Sequence, residues 1–250
     1  MAKTRSQIKT AVNNNTGRGT EKATLIETLC DDALVVAGQM HPFIDATTFD
    51  QDFAITEEAT SVDLSGTFSD LQHVVTALIV ETDGDKNAPL VMKDETWWQN
   101  NVVNASDNQQ GWPSFGLRRG TSVILNRPSD SDLSLRVTVS TAQSFTTDAT
   151  ECPIAIADLF VEQYVTAMLF MSLQDDTSFA RWYSLAMGTN YSRTGHVGGT
   201  LQRIIDVDRK DRVDSMQATG PQTAQSNEGV SVRNLITGHD DYNNVRLWSS

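Results

Sequence analysis

The chain has 250 residues, 39% of them hydrophobic, enough to bury a core in one large domain or two small ones. Its 32 acidic and 19 basic residues give a formal net charge of −13. Such a surface repels nucleic acid and argues against a protein that grips phosphate, although an acidic channel wall would let DNA slide past.

No membrane association is expected. The longest uncharged apolar run, Tyr164 to Leu173, falls short of the roughly 20 residues that span a bilayer. Met1-Ala2-Lys3-Thr4-Arg5-Ser6-Gln7 has no apolar stretch behind its basic residues, so folding in the cytoplasm of the producing cell is expected. Cys30 and Cys152 have no metal-ligand spacing and read as small buried apolar residues rather than a disulfide.

In chain order, Thr4-x-x-Gln7 has capping-box spacing and opens a short amphipathic helix through Ile8, Ala11 and Val12. Asn13-Asn14-Asn15-Thr16-Gly17 is expected to break it. Thr20 is positioned to cap a second helix, with Glu21 in its first turn, where negative charge suits the helix dipole. Leu25, Ile26, Leu29, Ala33, Val36, Ala37 and Met40 follow helical spacing. Pro42 disfavours helical geometry at His41 and should end this helix.

From Thr47 to about Ser140 the period changes. Short alternating segments fall at 53–55, 62–64, 73–80, 90–92, 122–125 and 133–139. Turn signals separate them: Asp83-Gly84-Asp85, Gly111-Trp112-Pro113, Arg119-Gly120 and Arg127-Pro128. This pattern predicts an antiparallel sheet or sandwich.

Pro153 opens a second helical region. Its apolar stripe is Ile156, Leu159, Phe160, Gln163, Tyr164, Ala167 and Met168, extended by Phe170 and Met171. Asp175-Asp176-Thr177 makes a corner, and helical pattern resumes at Phe179, Trp182, Tyr183 and Ala186. It continues weakly past Gly188 to Asp211, with Gly195-His196-Val197-Gly198-Gly199 read as a bend. From Val213 the composition becomes that of a tail, with apolar anchors at Leu235, Ile236, Tyr242, Val245, Leu247 and Trp248.

The expected fold class is therefore α+β. A helical bundle is formed by both ends of the chain, with an inserted antiparallel β-sandwich-like domain and an extended C-terminal tail. The boundaries are 1–44 for the N-terminal helices, 45–151 for the β domain, 152–212 for the C-terminal helices and 213–250 for a tail docking on a partner.

Chemistry is hard to find. His41, His73, His196 and His239 lack ligand partners at zinc-site spacing. No nucleophile elbow, phosphate loop or dinucleotide fingerprint occurs. Asp83, Asp85 and Asn87, with Asp94 at the twelfth position, imitate a calcium loop, but Ala88 replaces the required glycine and a hairpin turn is expected instead. Glu57-Glu58 and Asp94-Glu95 are sequence neighbours whose side chains diverge, so they make poor acid–base pairs. Trp97, Trp98 and Trp112 form an aromatic group, read as core or subunit interface, with a sugar-stacking platform as the alternative. Arg118-Arg119 reads as a pair of ion-pair partners. No catalytic, cofactor-binding or metal-ligating residue is expected.

Several runs in order resemble one family. These are Ala37-Gly38-Gln39-Met40-His41-Pro42-Phe43, Ser61-Val62-Asp63-Leu64-Ser65 and Asp70-Leu71-Gln72-His73-Val74. Gly111-Trp112-Pro113-Ser114-Phe115 and Val123 to Pro128 follow, then Phe145 to Asp148, Cys152-Pro153, Asp175-Asp176 and Ala180-Arg181-Trp182-Tyr183. Together, over about residues 20–212, they resemble the head-to-tail adaptor (head-completion, neck connector) proteins of tailed bacteriophages. Pro42 is a departure from the family pattern.

The resemblance implies a structural virion protein, not an enzyme, without a cofactor. It implies a homo-oligomeric ring, commonly of twelve subunits, between the portal protein and a downstream tail or nozzle protein. DNA would pass through the lumen without sequence-specific binding. The protein would be assembled in the host cytoplasm and reside in the virion. The tail anchors would dock on the portal, and Trp97, Trp98 and Trp112 would serve an interface. The alternative is a carbohydrate-binding β module of a host-recognition component.

Overall fold

The structure, a computed structural model, describes residues 2–18, 21–81, 87–103, 109–192 and 195–219. It is a mixed α+β fold. Among the described residues there are six α-helices, two four-stranded sheets and one two-stranded hairpin.

Helix α1 spans Arg5–Thr16 and opens with the expected capping box. The Thr4 hydroxyl accepts from the Gln7 amide, and the Gln7 side chain accepts from the Thr4 N–H at 2.9 Å. The asparagine run does not break the helix. It continues to Thr16 and stops at Gly17, whose φ of 68° supplies the left-handed cap that other residues adopt at a cost.

Helix α2 spans Ala23–Met40, so Glu21 lies outside its first turn. The preceding residue, Lys22, makes no side-chain cap; Thr20, the expected cap, lies outside the described residues. The helix ends as Pro42 requires, with His41 extended at φ −157° and ψ 135°.

The β part begins with β1, Thr47–Ile55, followed by β2, Ser61–Asp63, and β3, Leu71–Glu81. Then come β4, Asn87–Pro89, and β5, Val91–Lys93. A short helix α3, Glu95–Trp98, precedes β6, Phe115–Arg119, β7, Ser122–Leu125, and β8, Leu133–Thr141. One sheet has the order β1-β8-β3-β4 and the other β2-β7-β6-β5.

The first sheet is antiparallel throughout, with Leu135 opposite Phe53 on one side and Ile79 on the other. The second departs from the antiparallel expectation, because β5 runs parallel to β6. Both sheets bury residues in one cluster: Leu133, Leu135, Val137 and Val139 of β8 meet Val62, Val123 and Leu125 of the second sheet. Alternation along β8 puts these four leucines and valines on one face.

A 3-10 turn at Ala155–Ala157 leads into α4, Asp158–Ser172. The stretch Ala155–Ser172 matches a membrane span in length and mean hydropathy (1.2); in this fold it is the helix on which α1 and α2 pack. Its inward face is turned from the expected stripe. Val161, Val165 and Leu169 are fully buried with Phe160 and Ala167, whereas Leu159 and Met171 are exposed.

Helix α5, Asp176–Met187, starts from Asp175, whose carboxylate accepts from the Ser178 amide. Past Gly188 the expected weak helix and bend are instead a hairpin, β9, Thr189–Ser192, paired with β10, Gly195–Val197. Helix α6 then runs Thr200–Thr219, through the Val213 position where the tail was expected to begin.

Helices from both chain ends share one buried cluster, which includes Ile8, Ile26, Leu34, Phe160, Leu169, Ala186 and Ile204. The N-terminus is also clipped to the start of the second helical region. Arg5 and Cys152 donate backbone N–H groups to Thr150 and Lys3, and Arg5 and Lys9 both pair with Asp148.

Candidate functional site

The helical and β parts meet where α2 ends. Near that end, Gly38 lies so close to β3 that a Cβ there would sit 2.1 Å from Gln72 Oε1. The Gln72 amide donates to the Val35 carbonyl at 3.2 Å, and His73 Nε2 lies 2.8 Å from the Gly38 carbonyl. A helix carbonyl can only accept, so this His73 nitrogen carries the proton. Arg118 of β6 turns its guanidinium onto the carbonyls of Leu71 and Gln72 and so braces the same strand end.

Beyond Gly38, a buried polar knot ties α6 to the chain between α2 and β1. Asp208 is 2% exposed. Its Oδ2 lies 2.8 Å from His41 Nε2 and 2.8 Å from Arg212 Nε, and its Oδ1 accepts from the Ile44 N–H at 3.0 Å. Arg212 also donates to the Pro42 carbonyl, and the His41 ring meets Phe43 edge-on at 4.9 Å. Burial pushes the Asp208 pKa up. The bonds from His41, Ile44 and Arg212 and the Arg212 charge outweigh it, leaving the carboxyl below its ordinary range.

Large apolar side chains stand exposed around this knot. Met40 precedes His41 and is 52% exposed, Ile44 follows it, and Val207 beside Asp208 is 47% exposed. Phe49, two residues into β1 from Thr47, is exposed as well. Apolar groups presented around a rigid polar joint are suited to partner contact.

No ring contact joins the three tryptophans among the described residues. Trp98 is 4% exposed. Trp97 is half-buried, with its ring 4.9 Å from Phe115 and the Lys93 ammonium 5.0 Å above it. Trp112 packs against the β core, and among the described residues no ring contact joins it to the other two. Arg119 forms the expected ion pair, with Glu95 at 2.6 Å, but Arg118 bonds backbone carbonyls instead.

A shallow groove of about 330 Å³ lies between β3, β5 and β6. Its charged groups are engaged by neighbours: Arg118 by carbonyls, Glu95 by Arg119, Lys93 by the Trp97 ring, and Asp94 in capping α3 through the Trp97 N–H. Among the described residues no three His, Cys, Asp or Glu side chains converge on a possible metal. Of the calcium-like loop, Asp83 and Asp85 lie outside the described residues. Both cysteines are free and buried, and burial raises each thiol pKa to about 12.

The expected docking anchors Leu235, Ile236, Tyr242, Val245, Leu247 and Trp248 also lie outside the described residues. The knot has almost no signature in the sequence. The only local sign was Asp208 and Arg212 at i, i+4; the partner His41 is 167 residues away.

No protein-family model matches the chain, and no curated protein matches it significantly.

Proposed function

We propose that the chain is a structural, non-enzymatic virion protein of a tailed bacteriophage. In this reading it forms a head-to-tail adaptor ring, part of the DNA conduit between the portal protein and a downstream tail or nozzle protein. The helices act as a bundle that seats against the portal, the two sheets as a sandwich-like unit, and the chain beyond α6 as a docking tail.

The observation that carries the reading is the shared core of both chain ends. Helices α1 and α2 bury with α4, α5 and α6, while the strands between them bury a cluster of their own. That is the organisation implied by the family resemblance. A net charge of −13 suits a conduit wall that DNA passes without sticking. The apolar side chains around the Asp208 knot offer contact surface outside both cores.

The burial of Trp98 and the separation of Trp112 favour this reading over a sugar-stacking platform, which needs exposed rings.

The test is co-sedimentation with the portal protein encoded in the same genome, using the full chain and a chain lacking Val230 to Ser250. The full chain is expected to travel with portal rings and the shortened one to fold but stay behind. Equal portal binding by a folded shortened chain would refute the docking role of the tail.

A further inference from the structure

The two sheets are joined on one side. At the passage from β4 to β5 the Leu90 N–H donates to the Ala77 carbonyl of the first sheet, and the Val91 N–H donates to the Ser114 carbonyl just before β6 of the second. On the other side β1 and β2 end their sheets, and among the described residues they are not hydrogen-bonded to each other.

Strand β1 is therefore an open edge of nine residues. Asp50, at φ 52°, and a register shift between Thr48 and Gln51 put a bulge in its first half. From 51 to 55 the ladder to β8 is regular, and among the described residues no backbone group of that stretch bonds outside it. In an antiparallel ladder every second residue turns its N–H and C=O away from the partner strand. Burial falls off at the same edge. Leu135 and Val137 of β8 are fully buried, whereas their β1 partners Phe53 and Gln51 are half-buried and Phe49 is 52% exposed. An edge of this kind accepts an extended segment as a further strand.

The same chain carries a segment of that kind. Residues 230–237, outside the described residues, read Val-Ser-Val-Arg-Asn-Leu-Ile-Thr between Gly229 and Gly238. Glycines at both ends, β-branched residues within, and alternation of Val230, Val232 and Ile236 with Ser231, Arg233 and Thr237 are strand signals. The connection is long enough. Arg212 of α6 donates to the hydroxyl of Thr47, the first residue of β1, at 3.4 Å. Helix α6 runs on only to Thr219, about 10 Å further. Residues 220–229 then reach up to roughly 33 Å, about the length of β1 itself.

We propose that residues 230–237 add to the outer edge of β1 of their own chain, as a further strand of the first sheet. Val230, Val232 and Ile236 extend the inner face beside Phe53, and Arg233 lies on the outer face with Asp52. The segment has one cation and no acid, whereas β1 carries Asp50 and Asp52. A second copy's β1 would bring the same acids to the edge, which opposes self-pairing. A short tether also holds the segment at an effective concentration on the order of millimolar. The pairing does not rest on the adaptor reading, and it leaves Tyr242, Val245, Leu247 and Trp248 beyond it for a partner.

The experiment is hydrogen exchange of the full chain, read by mass spectrometry on the β1 peptide. Wild type is compared with a Val232→Pro, Arg233→Pro double variant and with Val245→Pro as the control. Adjacent residues in a strand turn their N–H groups to opposite sides, so one of the two prolines removes a bond to β1 in any register. Circular dichroism reports folding of each variant. The β1 amides are expected to exchange roughly tenfold or more faster in the double variant than in wild type or Val245→Pro. Dilution of the wild type should leave its rate unchanged.

Equal exchange in all three proteins would overturn the proposal. So would protection lost from β2 or β5 instead of β1, or lost in Val245→Pro alone. Protection that disappears on dilution would assign the added strand to a second copy and overturn the pairing within one chain.

Discussion

Replacing Asp208 by asparagine tests whether the knot holds α6 onto the junction between α2 and β1. The carboxylate accepts from three donors, His41 Nε2, Arg212 Nε and the Ile44 N–H, at 2.8, 2.8 and 3.0 Å. Asparagine keeps the shape but has one acceptor oxygen, and its amide group points donors at donors. Arg212 also loses the charge opposite it. Breaking a buried ion pair on one side costs about 3–5 kcal/mol, so a loss of about 3 kcal/mol is expected.

Urea unfolding followed by tryptophan fluorescence and far-ultraviolet dichroism measures it. With a slope of about 2 kcal/mol/M the midpoint should fall by roughly 1.5 M. The difference is also pH-dependent. The Asp208 pKa is lowered in the folded chain, so its stabilisation is fully present above the unfolded carboxyl value, about 3.9, and is lost as pH falls through the folded value. A change below about 1 kcal/mol at neutral pH, where a buried pair should cost at least 3, would refute the reasoning.

Three further outcomes are expected. Gly199→Ala would place a Cβ 2.3 Å from the Gly188 nitrogen and 2.4 Å from the Met187 carbonyl carbon. Backbone must move, so the variant should lose about 1–3 kcal/mol, and an unchanged melting temperature would contradict the close approach of α6 to α5. Thr4→Ala removes the α1 capping box and should cost about 1 kcal/mol, measured by urea midpoint; a neutral effect would place the end of α1 elsewhere. Cys30 and Cys152, with thiol pKa values of about 12, should react with a disulfide reagent at pH 8 only on unfolding, and rapid native reaction would show that they are accessible.

Some of the fold was legible because its signals are local. The Thr4–Gln7 box, the stop at His41-Pro42, and the alternation of Leu133, Leu135, Val137 and Val139 depend on near neighbours alone. Helix α4 was harder. Leu159, Phe160, Val161, Tyr164, Val165, Met168 and Leu169 are apolar almost all round, and only packing by α1, α2 and α5 decides which of them turn inward. The β9–β10 hairpin was hidden by a glycine-interrupted sequence without alternation. The parallel pairing of β5 and β6 depends on a connection through α3, not on either strand's composition.

The site was less legible than the fold. The Asp208 knot joins residues 167 positions apart, which no local pattern links.

The most direct test of the adaptor reading is negative-stain microscopy of the full chain mixed with the portal protein from the same genome, at micromolar concentrations and low salt. The reading predicts portal rings lengthened by a collar at the narrow end, with the rotational symmetry giving the number of subunits. Bare portal rings beside free protein would contradict it.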